Sequence, residues 1–291
     1  MPAEPTDIIP ADWQRWSSVQ PTLLRPLAGG LTNSSYLLSA GERRLVLRRN
    51  SPNSAALDLD RVAEIRALQE ADSAGLCAPL VHADPAHKYL VTEYLEGQPF
   101  PRADNATLLQ LAELARGIHA LPAIDAKLDI RSKAERYWQA IDTDAEFSSS
   151  LSGIRKSTEV HIDRAASLCC GPKLCHNDLN ATNLIATNSG GLYAVDWEYA
   201  AMGDAFYELA VIVEEHQLSE PARQQLLGHY LGREVGYDDR QRLHHWRVVY
   251  RYLTVLWYAV QHYRGAMPGQ DSLAAIRRQL DTISTLMQST P

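Results

Sequence analysis

Residues 174–204 read LCHNDLNATNLIATNSGGLYAVDWEYAAMGD, and this stretch crowds His176, Asp178, Asn183, Asp196 and Glu198 into a short span. Asp178 and Asn183 lie on a loop that the run "KLCH" enters as a strand. The run "GLYAVDW" leaves as a second strand and sets Asp196 at its end, beside that loop. The residue types fit oxygen-ligand chemistry. Mg²⁺ prefers hard oxygens and keeps several waters, so one carboxylate, one amide oxygen and phosphate oxygens suffice to hold it. That leaves Asp178 to accept a proton.

Outward from this stretch, the chain divides by character. Residues 23–49 read as two or three strands, punctuated by Gly29-Gly30 and by a turn at Ala40-Gly41. Leu59, Val62, Ile65 and Leu68 then recur at helical spacing, and the pattern stops at Gly75. Strands return around an Asp84-Pro85 turn in "LVHADPAHKYLVTEYLEG". After "EGQPFP" helix takes over: Leu108, Leu111, Ala115, Ile118 and Leu121 mark one that ends at Pro122. Residues 123–172 carry little periodic signal, and "FSSSLSG" reads as a surface loop. Further helices are expected over about 205–217, 220–231, 238–263 and 271–288. The expected organisation is α+β, with a small β-rich lobe over 1–95 and a larger, mainly helical lobe over 96–291.

Composition bounds the partners. The 291 residues carry a net charge of −7, which argues against a nucleic-acid partner, because a duplex binder needs a basic face to displace counterions. A small cationic substrate suits that balance better. No basic start leads into an apolar run, and no stretch approaches the ~18 apolar residues that span a bilayer, so the reading is cytoplasmic without membrane insertion. Four cysteines, Cys77, Cys169, Cys170 and Cys175, are too few and too clustered for a disulfide framework. "CCGPKLCH" matches poorly the paired spacings of structural zinc sites, so incidental or buried thiols are expected.

The pattern H-x-D-x-x-x-x-N followed by D-x-E resembles the catalytic and metal loops of protein-kinase-like enzymes. "HNDLNATN" with "VDWEYAAMGDAFYELA" narrows the resemblance to the choline kinase, thiamine kinase and aminoglycoside phosphotransferase superfamily, since Asp196-Trp197-Glu198 stands where protein kinases carry D-F-G. "GGLTN", "LVLRRN", "ERYW" and "DWEYA" look most like its bacterial thiamine kinase and choline kinase branch. The resemblance implies a two-lobed protein-kinase-like fold and an ATP- and Mg²⁺-dependent phosphotransferase. Asp178 would be the base or hydroxyl-orienting residue, His176 would brace the loop, and Asn183 and Asp196 would hold Mg²⁺. Glu198 would touch metal-bound water or substrate.

Gly29, Gly30, Thr32 and Asn33 would form the loop over the nucleotide phosphates. No lysine precedes Lys88; Arg48 takes the register of the expected strand lysine, with Glu64 as the matching helix acid, while Arg49 faces the other way. Glu93 and Leu95 would offer backbone groups to an adenine edge. Asp204 resembles the family's structural aspartate, and Glu208 replaces its more frequent downstream aspartate.

Each of these residues has a plainer reading. Asp204 is also a helix N-cap, Gly29-Gly30 alone an ordinary turn, Arg48 alone a solvated strand residue and Glu64 an exposed helix acid. Trp246, Tyr250, Leu253 and Trp257 share one face of the long helix, as core or as pocket. Aromatic faces beside carboxylates suit a quaternary ammonium or thiazolium, which makes Tyr250, Trp257 and Trp197 or Tyr199 candidates for the acceptor site. The expected acceptor is thiamine or choline/ethanolamine. An aminoglycoside or amino sugar is the alternative, and a catalytically inactive nucleotide-binding scaffold is the reading from another class. Asp178, Asn183 and Asp196 together argue against the scaffold. The oligomeric state is not legible.

Overall fold

A computed structural model describes residues 8–27, 33–51, 59–100, 104–141, 147–264 and 269–289. Gly29, Gly30 and Thr32 of the expected phosphate loop lie outside the described residues. The first part of the chain builds a five-stranded antiparallel sheet from β1 (Thr22–Leu27), β2 (Ser34–Ala40), β3 (Arg43–Arg49), β4 (Leu80–Ala83) and β5 (Tyr89–Glu93), in the order β1-β2-β3-β5-β4. Alternation along β3 sends Leu45 and Leu47 to one face, where they pack with Leu38, Tyr89, Val91, Ile8 and Trp16. Arg48, one position on, takes the opposite face.

That opposite face meets α1 (Arg61–Ser73), which Asp60 caps by accepting from the Val62 and Ala63 N–H groups. Its buried residues are Ala63, Glu64, Ala67, Leu68 and Ala71, whereas Val62 is 65% exposed. The helix is therefore turned from the face expected of its larger apolar residues. Its alanines allow close approach to the sheet, and Glu64 enters the interior because Arg48 is there to neutralise it.

A three-stranded sheet, β6 (Gly97–Pro99), β8 (Leu184–Thr187) and β9 (Leu192–Ala194), ties the chain after the first sheet to the stretch at 174–204. A two-stranded ribbon pairs β7 (Lys173–Cys175) with β10 (Ala201–Gly203). Among the described residues seven further helices follow: α2 (Asn105–His119), α3 (Ile130–Gln139), α4 (Ser148–Ser167), α5 (Ala205–Glu215), α6 (Glu220–Leu231), α7 (Tyr237–Tyr263) and α8 (Gly269–Gln288). The result is a mixed α+β, kinase-like architecture. Helix α7 is the axis against which α3, α4, α5 and α8 pack, and α5 is buried along nearly its whole length. Among the described residues no helix is long and apolar enough to cross a membrane.

The region with the least periodic signal is largely helical. The serines of "FSSSLSG" open α4 instead of forming a loop: Leu151, Ile154, Thr158, Ile162 and Ala165 make a buried stripe. On its outer side Ser152 and Ser157 bond carbonyls one turn back.

Gly97 is where β6 crosses β8 most closely. A Cβ there would stand 2.5 Å from the Ala186 carbonyl oxygen and 2.7 Å from Ile185 Cγ2, so one strand must shift. Gly97→Ala should cost about 1–3 kcal/mol, as overpacking does, and lower Tm by roughly 2–10 °C. An unchanged melting curve would show that the two strands are not held at this distance.

Candidate active site

The loop between β7 and β8 is fixed from beneath. His176 is fully buried; its Nε2 lies 3.0 Å from the Val195 carbonyl and its Nδ1 accepts from the Asp178 N–H at 3.3 Å. One nitrogen donates and the other accepts, so the ring is the neutral Nε2–H tautomer. Burial, which lowers its pKa, favours the same form. The Trp197 ring packs edge-on against it at 4.8 Å. Trp197 is 1% exposed and donates to the Ala194 carbonyl. It is thus a wall of the loop's foundation and does not reach the cavity, which removes it from the acceptor candidates.

A second support comes from Glu208, which sequence reasoning noted only as a replacement. Its carboxylate is 0% exposed and accepts the Asn177 N–H at 2.7 Å. His119, itself bonded to Tyr230, stands 2.7 Å from the other oxygen. Asn177 has φ +65° and Asp196 φ +62°, a region costly for residues other than glycine and least so for Asn and Asp. Asn177 is held in this conformation because its backbone amide reaches Glu208 and its side chain reaches the Tyr199 carbonyl at 3.0 Å. Asp204 caps α5 through the Phe206 N–H (2.8 Å), as its N-cap reading expects, and also pairs with Arg242 (2.6 Å), which the sequence reading did not include.

On this base the acids are oriented individually. Asp178 accepts from the Asn180 amide at 2.9 Å and the Asn183 amide at 2.7 Å, one bond to each carboxylate oxygen. Desolvation pushes its pKa well up; Asn180 opposes the shift, and Asp196, Glu215 and Glu198 add to it. Asn183 commits its amide N–H groups to Asp178, and among the described residues no protein donor engages its Oδ1. Asp196 gives Oδ1 to Arg48, while its Oδ2 makes no bond to the described residues. An amide oxygen and a carboxylate oxygen without protein partners on one cavity wall form a donor set that suits Mg²⁺.

The cation side of the site holds more than the sequence foretold. Arg48 pairs with Glu64 and Asp196 at once. Burial works against its charge, yet Glu64, Asp196 and Glu198 raise its pKa above the usual range. Arg61, absent from the sequence reading, spans Glu64 (2.8 Å), Glu198 (3.2 Å) and the Asn33 amide oxygen (3.0 Å). Asn33 in turn donates to Glu198 at 2.7 Å. Glu198 is pushed up to about 7 by burial and by Asp196, against the pull of Arg48, Arg61 and Asn33. At the end of β5 the Glu93 side chain pairs with Arg43 and its N–H with the Pro79 carbonyl. What Glu93 has left for a base edge is its carbonyl. Leu95 follows in the short link to β6.

Asp178, Asn183, Asp196, Glu198, Tyr199, Tyr250 and Trp257 line one cavity of about 260 Å³. Tyr137, Tyr207 and Tyr258 complete its aromatic wall, and Lys133 and Glu215 add one charge each. Tyr250 donates to Glu215 at 2.6 Å and Trp257 to the Tyr199 hydroxyl at 3.2 Å. The Lys133 ammonium lies 5.3 Å from the ring centres of both Tyr137 and Tyr199, which is cation–π range. Lys133 and Glu215 were not singled out in the sequence, because a helix lysine and a helix-end acid read there as solvated charges. Trp246 fills the core beneath, while Leu253, itself buried, also lines the cavity, so this face is core at some positions and pocket at others.

The signature described as the phosphotransferase enzyme family matches residues 23–246. A thiamine kinase of Escherichia coli O157:H7 is 30% identical over 234 residues, covering 77% of this chain and 75% of that protein. The crystal structure of the choline kinase LicA from Streptococcus pneumoniae superposes with a TM-score of 0.76 at 21% identity, over 90% of this chain and 95% of that one. A spectinomycin phosphotransferase solved with ADP and spectinomycin superposes at 0.63 with 13% identity, over 99% and 98%.

Removing Glu208 tests the lower tier. Glu208→Ala should cost about 1–3 kcal/mol by leaving the Asn177 N–H buried and unpartnered, read as a fall in Tm, and Glu208→Gln, which keeps an acceptor oxygen, should recover much of it. A fully stable alanine variant would mean that the loop is held by other contacts.

Proposed function

We infer that this chain, which belongs to the phosphotransferase enzyme family, transfers the γ-phosphoryl group of ATP to the hydroxyl of a small cationic alcohol of the thiamine or choline/ethanolamine kind. The observation that carries this reading is the cavity. Four carboxylates (Asp178, Asp196, Glu198, Glu215) face a single lysine, inside a wall of five tyrosines and one tryptophan. Such a wall attracts a cation that has no N–H to donate, and the carboxylates offset its charge. At about 260 Å³ the space lies just below the range of ~300–1,000 Å³ usual for drug-sized ligands. A compact alcohol therefore suits it better than an aminoglycoside.

In this mechanism the acceptor hydroxyl hydrogen-bonds to Asp178, whose carboxylate the amides of Asn180 and Asn183 hold in place. As the oxygen bonds to the γ-phosphorus, its proton passes to Asp178 and the bond to the β–γ bridging oxygen breaks, leaving ADP. A buried carboxylate with raised proton affinity is a better acceptor than a solvated one. Asn183 and Asp196 would hold Mg²⁺, which when bound neutralises charge on the phosphate oxygens. Arg48 steadies Asp196 from the first sheet, and neutral His176 keeps the loop in position. Asn33 sits beside Gly29, Gly30 and Thr32 in the segment expected over the phosphates, and Glu93 and Leu95 flank the adenine side. Because the transition state of phosphoryl transfer is loose, the protein's work is positioning and charge balance.

ADP release measured with thiamine, choline, ethanolamine, amino sugars and an aminoglycoside, with and without Mg²⁺, tests the reading. Turnover on a cationic alcohol that needs Mg²⁺ is expected. Preference for an aminoglycoside would favour the alternative acceptor class, and silence on all with ATP still bound would favour a scaffold. Asp178→Asn should lower kcat ~10²-fold or more while ATP binding persists; a variant keeping over a tenth of the rate would remove Asp178 from the proposed role. Asp196→Ala should lose Mg²⁺-dependent nucleotide affinity, and unchanged Mg²⁺-ATP binding would count against its assignment.

A further inference from the structure

Three histidines meet where α4 packs on α7, outside the cavity. His161 comes from α4 and the adjacent pair His244 and His245 from α7. Their ring centres are 5.0, 5.7 and 5.8 Å apart. The Nδ1 atoms of His161 and His245 are 3.0 Å apart, and one ring nitrogen from each of the three lies within 4.8 Å of the other two. His244 is 5% exposed, and its Nδ1 is buried with no hydrogen-bond partner. An orphaned imidazole nitrogen beside two others that face each other is a costly arrangement for mere packing, because a buried polar atom is ordinarily satisfied.

We propose that His161, His244 and His245 form a binding site for a divalent transition-metal ion of the zinc, nickel or copper class, with solvent completing the coordination.

The geometry is close to what such an ion needs. Tetrahedral zinc with nitrogens at ~2.0–2.1 Å implies nitrogen–nitrogen edges of about 3.4 Å. The observed 3.0 Å edge and the 4.8 Å limit bracket that value, so small ring rotations suffice. The donors are available as well. Burial first, then His245, lowers the His161 pKa to about 4; burial, then His161 and His245, lowers that of His244 to about 4; burial, then Arg164, lowers that of His245. At neutral pH no ring has to lose a net proton to bind the ion. In the His161–His245 hydrogen bond one Nδ1 carries the proton, and a tautomeric shift to Nε2 frees it as a ligand.

The surroundings select the class of ion. Arg164 stands by His245, and Arg247 and Arg223 by His244. These cations disfavour a hard ion held by charge alone, and the cluster offers no oxygen ligand, so Mg²⁺ and Ca²⁺ are poor occupants. Imidazole nitrogens bind late first-row ions through strong coordinate bonds. The other close trio, His119, Cys175 and Glu208, is engaged in supporting the loop under Asp178. An ion at the histidines would clamp α4 to α7 one to two turns before Tyr250 on the helix that walls the cavity.

The test is a zinc titration of the untagged full chain in excess Mg²⁺, with Cys169→Ser and Cys170→Ser removing the two exposed thiols as competing ligands. One zinc per chain is expected, with a Tm rise of roughly 5–10 °C at 100-fold excess over Kd. His161→Gln and His245→Gln, made separately, should each weaken zinc binding at least ~10-fold. In the protein with all three histidines intact, zinc should also shift the imidazole NMR signals of these three residues and leave His176 unmoved. No zinc bound beyond one-tenth stoichiometry, or binding unchanged in both glutamine variants, would overturn the proposal.

Discussion

Two buried arginines hold the site together. Arg48 from β3 and Arg61 from the first turn of α1 reach across to Asp196 and Glu198, which belong to the stretch after β9, and Glu64 is shared between them. Ions taken out of water must be paired and hydrogen-bonded, or the desolvation cost prevails. The first sheet, its helix and the stretch at 174–204 are therefore bound to one another by charge as well as by apolar packing. Among the described residues, three carboxylates face two guanidiniums, so the cluster gains negative charge, and favour for a cation, as Glu198 ionises around its pKa of about 7. Arginine in place of lysine matters here, because one planar fork serves Glu64 and Asp196 together.

Below that ionic layer lies a layer of hydrogen bonds. His176 and Glu208 hold the loop at two points, and Trp197 packs edge-on against the His176 ring. This layer carries the left-handed Asn177. Its strained backbone persists because the buried Glu208 carboxylate and the Tyr199 carbonyl accept from it. The order of dependence runs from α5, which supplies Glu208 and the Asp204 cap, to the loop, to the aim of Asp178, and so to the proposed chemistry.

The sequence was most legible where chemistry dictates residue type at fixed spacing. His176, Asp178, Asn183, Asp196 and Glu198 could be ordered along the chain without a structure, whereas Arg48 and Glu64 were implied only by the family resemblance and read by themselves as solvated charges. It was least legible where the third dimension decides. Arg61 and Lys133 look like surface charges on helices, and nothing local marks the carboxylates or rings they meet. Trp197 neighbours two cavity residues in sequence, but the turn after β9 sends its ring into the core. Val62 and the alanines of α1 show the same limit: the larger side chain suggested the buried face, while the close approach to the sheet required the smaller ones. The helix at 148–167 could have been found from the spacing of Leu151, Ile154, Thr158, Ile162 and Ala165, had its opening serines not suggested a loop.

In the proposed function, the aromatic wall and the carboxylates of the cavity would make charge, more than shape, the basis of acceptor choice. The most direct measurement is kcat/KM for the accepted cationic alcohol against an uncharged isostere of the same shape, choline against 3,3-dimethylbutan-1-ol or thiamine against deazathiamine. A cation–π preference of ~1–2 kcal/mol corresponds to about five- to thirtyfold, and the account predicts at least that ratio in favour of the cation. Equal values, or a faster neutral acceptor, would contradict it.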